Sequence, residues 1–504
     1  MPELKSVSHW DVVVLGASFS GSLMASLLAK SGLKVAIVDS GTHPRFAIGE
    51  SSTPSADLIL SQIVQDYSLD RLAPLCRYGT WSRIYPHLRH GCKRGFSYVW
   101  HGKESGYQAT TDHDCELLVA ASESDELADT QWYRADVDQF FFEQALELEV
   151  GDWTSSIVEE IEQVPPHGWS LTIRRSGRVE QLRSDFVIDA SGANGVLLSS
   201  LGIADTTHTL RTETAAVFSH FDDIPLCNDW LSHHEAIIED FPYFVDHSAV
   251  HHLTKEGWLW QLRFDGGPTS VGFVSTPNSA ASSEMKSIFE AGDWGHPKNR
   301  FPASLFGNAH FSSVPGKAFS TGRLQRLRQS GAGTNWAAVP STIGFIDPLH
   351  STGIAHSLSG IQRLADIIVS GKLSTRDNDL DAYSQSILTE LRLIDEMVSG
   401  CYRSLWDFEL FSAWTMVYFA AATTFERNYN SGRRDFLCSG NSSFRETVST
   451  LSHSLDELNA SDRSAKRIAE HISLIREMLA PFNHVGLFAP PIPGMYSKTA
   501  APKD

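Results

Sequence analysis

Three stretches of this 504-residue chain carry side chains whose types and spacing could do chemistry. In Gly16-Ala-Ser-Phe-Ser-Gly21, small residues follow the apolar run 11–15 and open the Ala- and Leu-rich segment 22–30, so the turn falls at a helix N-terminus. Free N–H groups and the positive end of the helix dipole favour a pyrophosphate there, with Gly16, Ser18 and Gly21 letting it approach the backbone. The next strand, 34–39, ends in Asp39, 18 residues after Gly21. That spacing suits a carboxylate accepting from a ribose 2′-OH, and so an adenosine without a 2′-phosphate. Ser18 replaces the usual middle glycine of G-x-G-x-x-G, so this approach must tolerate a Cβ and a hydroxyl. Lys93 precedes Phe96, Tyr98 and Trp100, which alternate like one face of a strand. A lysine at the mouth of such a strand can have its ammonium desolvated, which brings its pKa towards neutrality and frees the amine for chemistry. Thr352 and Gly353 stand just before a helix read over 355–369, where successive N–H groups can nest an anion.

The elements that must hold these groups read as a βαβ unit first, then strands over 169–174 and 185–192. A more strictly alternating, antiparallel region follows from 212 to 275. Within it 257–262 and 269–275 make a hairpin, with Trp258, Trp260 and Leu262 on one face. From 381 to 480 the period is helical, with an aromatic-rich part over 405–419, and the proline-rich tail after Ala480 reads as loosely held. The acidic stretch 103–130 reads as a surface excursion. The fold class is α/β: a Rossmann-like nucleotide-binding core over 1–380, a substrate-side antiparallel sheet inserted at roughly 205–330, and helices over 381–504.

Composition excludes several classes. A formal charge of −19 leaves no basic stripe for nucleic acid and weighs against an acidic acyl carrier protein as partner. Without an apolar run of 18 residues, nothing in the sequence spans a membrane. Six cysteines with no C-x-x-C spacing fit reduced thiols in a cytoplasm better than a disulfide framework or a metal site.

Longer motifs resemble one family. Pro44-Arg-Phe-Ala-Ile-Gly-Glu-Ser-Ser-Thr-Pro54, the K-x-G-F-S-Y-x-W-x-G pattern from Lys93, Trp258-Leu-Trp-Gln-Leu262 and Gly344-Phe-Ile-Asp-Pro-Leu-His-Ser-Thr-Gly-Ile354 together resemble the flavin-dependent halogenases that act on free phenols. The resemblance implies FAD as the nucleotide, lined by Arg45, Gly49 and Glu50, braced by Arg134 and contacted near Asp347 and Gly353. It implies halide, chloride or bromide, at Thr352 and Gly353, and a Trp258–Trp260–Leu262 partition that keeps substrate from the flavin. A separate flavin reductase would supply FADH2. A flavin hydroperoxide would yield hypohalous acid, which Lys93 would present to an electron-rich ring. His350 stands where halogenases of free tryptophan have a catalytic glutamate, which argues against tryptophan and leaves a neutral imidazole to accept a phenolic proton or orient Lys93. The usual G-D-A-A before G-F-I-D-P is Pro340-Ser-Thr-Ile343 here, so one acidic FAD contact is missing. Two other readings share the scaffold: an FAD-dependent aromatic monooxygenase, and a flavoprotein accessory factor that matures a partner.

Overall fold

The computed structural model describes residues 8–102, 106–165, 168–296, 298–370, 374–432 and 434–500. Its nucleotide-binding sheet forms because Val12 to Leu15 and Val35 to Val38 are apolar on both faces, as a strand covered on both sides must be. Five strands lie side by side and parallel, in the order Trp336–Ala338, Arg178–Asp189, Ser8–Leu15, Val35–Val38, Gly151–Trp153. An antiparallel ribbon, Ser156–Val164 and Gly168–Arg175, extends the Arg178–Asp189 strand to one side. The helix Phe19–Lys30 returns across this sheet with nearly all its residues buried.

Glycine decides how closely that helix meets the sheet. Gly16 has φ +111°, which an L side chain rarely adopts. A Cβ on Gly21 would stand 1.9 Å from Gly16 O and 3.2 Å from the Ala190 Cβ.

The second sheet contains the expected hairpin: Gly257–Arg263 pairs antiparallel with Thr269–Ser275, which pairs in turn with Ala215–Asp222. It also draws strands from outside the expected 205–330 stretch. Ala249–Thr254 pairs parallel with Gly95–Trp100, which pairs with Glu116–Ala120, so the sheet continues through a part of the chain read from sequence as surface excursion. Glu116–Ala120 is wholly buried. The tail also differs from expectation. Met495–Tyr496 adds to the sheet edge beside Leu118 and Val119, and Thr499 donates from both N and Oγ1 to Ala120 O. Backbone pairing holds this segment where composition alone read a loose end.

Four helices, Arg376–Ser404, Phe408–Tyr429, Ser442–Asn459 and Ala465–Leu479, form the C-terminal layer, the first beginning a few residues ahead of the expected boundary. Asp407 and Asn441 cap two of them by accepting from the N–H groups of Leu410 and Phe444. No described helix is long and apolar enough to cross a membrane, and all six cysteines are free and buried.

Gly21→Ala forces the helix off the sheet. It is expected to cost about 1–3 kcal/mol, the usual scale of overpacking, and to lower the FAD content of the purified protein. Thermal melting and flavin absorbance check both, and a variant that melts and loads like wild type would contradict this packing.

Candidate active site

One cavity of about 820 Å3 runs from the Gly16 turn to the tryptophan-bearing strand. At its first end Gly16 and Ser18 stand at the N-terminus of Phe19–Lys30, whose first turn holds no acid to repel a phosphate. Ala190, Ser191 and Gly192 close the other side, held by Asp189, whose buried carboxylate accepts from the N–H groups of Ser191, Leu197 and Leu198.

Asp39 reaches the cavity rim as expected, with different partners. Its two oxygens accept from Ala17 N (2.7 Å), Gly41 N (2.7 Å) and the Arg45 guanidinium (2.7 and 2.8 Å). Burial works against the ionised form, but the Arg45 and backbone hydrogen bonds outweigh it and hold the carboxyl down at about 2. A ribose hydroxyl would join a carboxylate already engaged on both oxygens. Gly49, with φ +88°, and Glu50 line the cavity through a loop that Arg134 braces: Nη1 donates to Ile48 O and Gly49 O, while Nε and Nη2 hold Asp138. Arg134 thus braces the loop and also lines the cavity itself. Glu50 pairs with His220 at 2.8 Å, both almost fully buried.

At the second end Trp258, Trp260 and Leu262 all face the cavity, as a period of two requires. Trp258 Nε1 donates to Tyr402 Oη (2.7 Å), and that hydroxyl donates to Asp347 (3.1 Å), which also accepts from Thr214 Oγ1 and Leu349 N. Burial lifts Asp347 to about 7 despite these hydrogen bonds. The helix Thr352–Ser370 begins earlier than expected, so Thr352 and Gly353 lie within its first turn, after Ser351 at φ +53°. Gly353 lines the cavity, and Thr352 is buried beside it.

Lys93 does not line this cavity. It ends a separate strand, His90–Lys93, which pairs with Asp129–Trp132, and it is fully buried instead of standing at a pocket mouth. Its Nζ donates to Ser52 O at 2.5 Å and lies 3.9 Å from the centre of the Phe96 ring. Phe96 and Tyr98 stack in sequence as expected, and Phe411 and Phe419 of the C-terminal layer meet them edge-on.

His350 is not joined to Lys93. Its ring stacks on Tyr418 at 4.4 Å, Nε2 faces Cys401 Sγ at 3.5 Å, and the buried Nδ1 has no hydrogen-bond partner. Burial, then the neighbouring His251, lower its pKa to about 3, so the imidazole is neutral near pH 7 and too weak a base to take a phenolic proton there.

Sequence reasoning missed His251, Tyr402, Asp129 and Gln131. Of these, His251 lines the cavity, stacks on Tyr98 (4.7 Å) and approaches Trp258 (4.9 Å). Its alternation with Val250 and His252 was visible, but its neighbours across the sheet were not.

A parallel nucleotide sheet, a helix-start phosphate cradle and a long cavity ending at a wall of tryptophans define the class of FAD-binding oxidoreductases. Residues 170–406 match the tryptophan halogenase family model. Monodechloroaminopyrrolnitrin halogenase of Pseudomonas fluorescens is 26% identical over 81% of this chain and 70% of its own length. A 1H-pyrrole-2-carbonyl-[peptidyl-carrier protein] chlorinase of P. fluorescens is 22% identical over 74% of this chain and 78% of its own. The solved halogenase PltM, in complex with phloroglucinol and FAD, superposes with TM-score 0.78 at 22% identity, covering 94% of this chain and 96% of that one. These matches support the flavin-dependent halogenase family for this chain. The residues present fit FAD: the cradle accepts a pyrophosphate, and the cavity is long enough to reach from it to the tryptophans.

Asp347 carries a pH signature. Its carboxyl titrates near about 7 when folded and about 3.9 when unfolded. Between those values the unfolded chain has released a proton that the folded one keeps, so this group's contribution to stability falls as pH rises from about 4 to 7 and is level above. Urea melts of FAD-free wild type and Asp347→Asn should diverge across that window, with wild type losing ground as pH rises. Parallel curves would contradict the assignment.

Proposed function

We propose that this chain halogenates an electron-rich aromatic small molecule, a free phenol, at Lys93. The observation that carries the reading is the separation of the two reactive places. The cavity that accepts FAD ends at Trp258, Trp260 and Leu262, and Lys93 lies outside its lining, fully buried against Ser52 and Phe96. A hydroxylase needs its substrate against the flavin, whereas a diffusible oxidant allows the two to be apart.

Bound as FADH2, the flavin supplies the electrons with which dioxygen oxidises halide to hypohalous acid. The protein does the rest. Gly16 and Ser18 hold the pyrophosphate at a helix N-terminus, and Arg45 and Arg134 close the loop carrying Gly49 and Glu50 over the cofactor. The first-turn N–H groups at Thr352 and Gly353 offer halide an anion site at the far end of the cavity. Tyr402 pins the Trp258 indole, and the tryptophan face excludes an aromatic ring from the cofactor. Lys93 Nζ then hydrogen-bonds hypohalous acid or takes its halogen. The aromatic carbon gains the halogen and gives up its proton, and the oxygen leaves as water. His350 is a neutral imidazole whose Nδ1 can accept a hydrogen bond without taking the proton.

A free phenol is preferred to a carrier-bound substrate because the net charge of −19 repels an acidic carrier at long range. Against this stands the relative named for a carrier-bound pyrrole.

The test is turnover with FAD, NADH, a flavin reductase, bromide and a panel of phenols, followed by mass spectrometry. Brominated product from wild type is expected, reduced by on the order of 100-fold or more in Lys93→Ala, the scale of losing one preorganised donor. Oxygenated product alone, equal in both proteins, would replace this reading with the monooxygenase. Bromination only of a carrier-tethered ring would overturn the free substrate.

A further inference from the structure

Gln131 lies in the strand Asp129–Trp132, is fully buried, and neither its Oε1 nor its Nε2 has a hydrogen-bond partner. An amide in that state costs stability unless something it bonds arrives from outside the fold.

Register shows what shares its face. Directly opposed residues of an antiparallel pair point the same way, and so do residues two apart on one strand. Lys93 opposes Asp129, Gly91 opposes Gln131, and Ser51 bridges to Gln131 from the other side. Ser51, Gln131, Asp129 and Lys93 therefore form one polar strip across the strand pair and the single bridge beside it, while Cys92, Thr130 and Trp132 face the opposite way. Ser51 lines the FAD-accepting cavity, and its buried Oγ is also without a partner. At the far end stands Lys93. Gly91 keeps the patch against the end of the tryptophan strand, since a Cβ there would stand 2.0 Å from Arg263 O.

We infer that Gln131 is a positioning residue that hydrogen-bonds hypohalous acid on its way from the flavin cavity to Lys93, with Ser51 at the entrance to the strip. The inference rests on the proposed halogenation. An amide suits the task because it both donates and accepts, so it can hold HOX by its proton and by its oxygen without supplying a thiol or amine for the oxidant to consume. No bond of the oxidant breaks at Gln131. The chemistry begins at Lys93, as described above.

The experiment compares wild type, Gln131→Leu and Ser51→Ala by four readouts: brominated product per NADH consumed, hypobromous acid escaping to a β-diketone scavenger in bulk solution, FAD affinity by fluorescence quenching, and melting temperature. The expected result for Gln131→Leu is a several-fold drop in product per NADH and a matching rise in scavenged oxidant. FAD affinity should be unchanged and the melting temperature equal or higher, because leucine removes an amide that nothing in the fold satisfies. Ser51→Ala should show the same leak, less strongly.

A Gln131→Leu protein that melts lower and loses FAD affinity in step with product would make the glutamine structural and overturn the inference. A raised KM for the phenol with no added leak would make it a substrate contact and overturn it as well. Wild-type coupling and leak in both variants would sink the inference while leaving halogenation intact. A wild type that neither halogenates nor releases oxidant would remove the reading beneath it.

Discussion

A lysine amine with no access to solvent is the constraint on which the rest of this structure depends. Sealing Lys93 costs several kcal/mol of lost hydration unless protein groups replace the water. Two replacements are in place, the Ser52 carbonyl and the face of Phe96, and Asp129 stands directly across the strand pair. Each belongs to a different segment. Arg94, the residue after the lysine, breaks the strand in two, so that His90–Lys93 pairs with Asp129–Trp132 while Gly95–Trp100 joins the large sheet. That break turns the lysine inward without interrupting the aromatic face beside it.

The C-terminal layer completes the seal and reaches the flavin end as well. Phe411 and Phe419 cover the Phe96 and Tyr98 rings, and Tyr418 stacks on His350. Tyr402, on the preceding helix, joins the Trp258 indole to the Asp347 carboxyl. One helical layer thus fixes both the wall of the cofactor cavity and the roof over the lysine. Gly400 lets its helices approach, because a Cβ there would stand 2.1 Å from the Trp414 ring.

Burial also sets the proton chemistry. His251, His252 and His350 are all pushed down by desolvation, to about 3, 4 and 3, so these buried imidazoles are neutral at working pH. Asp347 is pushed the other way, to about 7. A region with few charges keeps solvent and stray nucleophiles out of the path of an oxidant.

What the sequence alone determined was local. The strand, small-residue turn and helix from Asp11 to Lys30 follow from hydrophobic period and from glycine at positions that admit nothing larger. The common face of Trp258, Trp260 and Leu262 follows from a period of two. The order of motifs carried the family and its cofactor because each motif is a short stretch whose chemistry is complete in itself. Tertiary structure decided everything that depends on which strand meets which. Asp39 was legible as an acid at a strand end, but not that Arg45 and two backbone N–H groups would occupy its oxygens. Lys93 was legible as a functional lysine, but not as one placed outside the flavin cavity, because its surroundings come from other segments: Ser52 accepts from its amine, and a helix more than 300 residues away covers the Phe96 ring beside it. Gln131, just past the stretch that reads as a surface excursion, gained its place only when Ser51 and Gly91 paired on either side of it. Side-chain direction in a strand is local, but what faces that side chain is set by pairing between distant segments, and no local period records it.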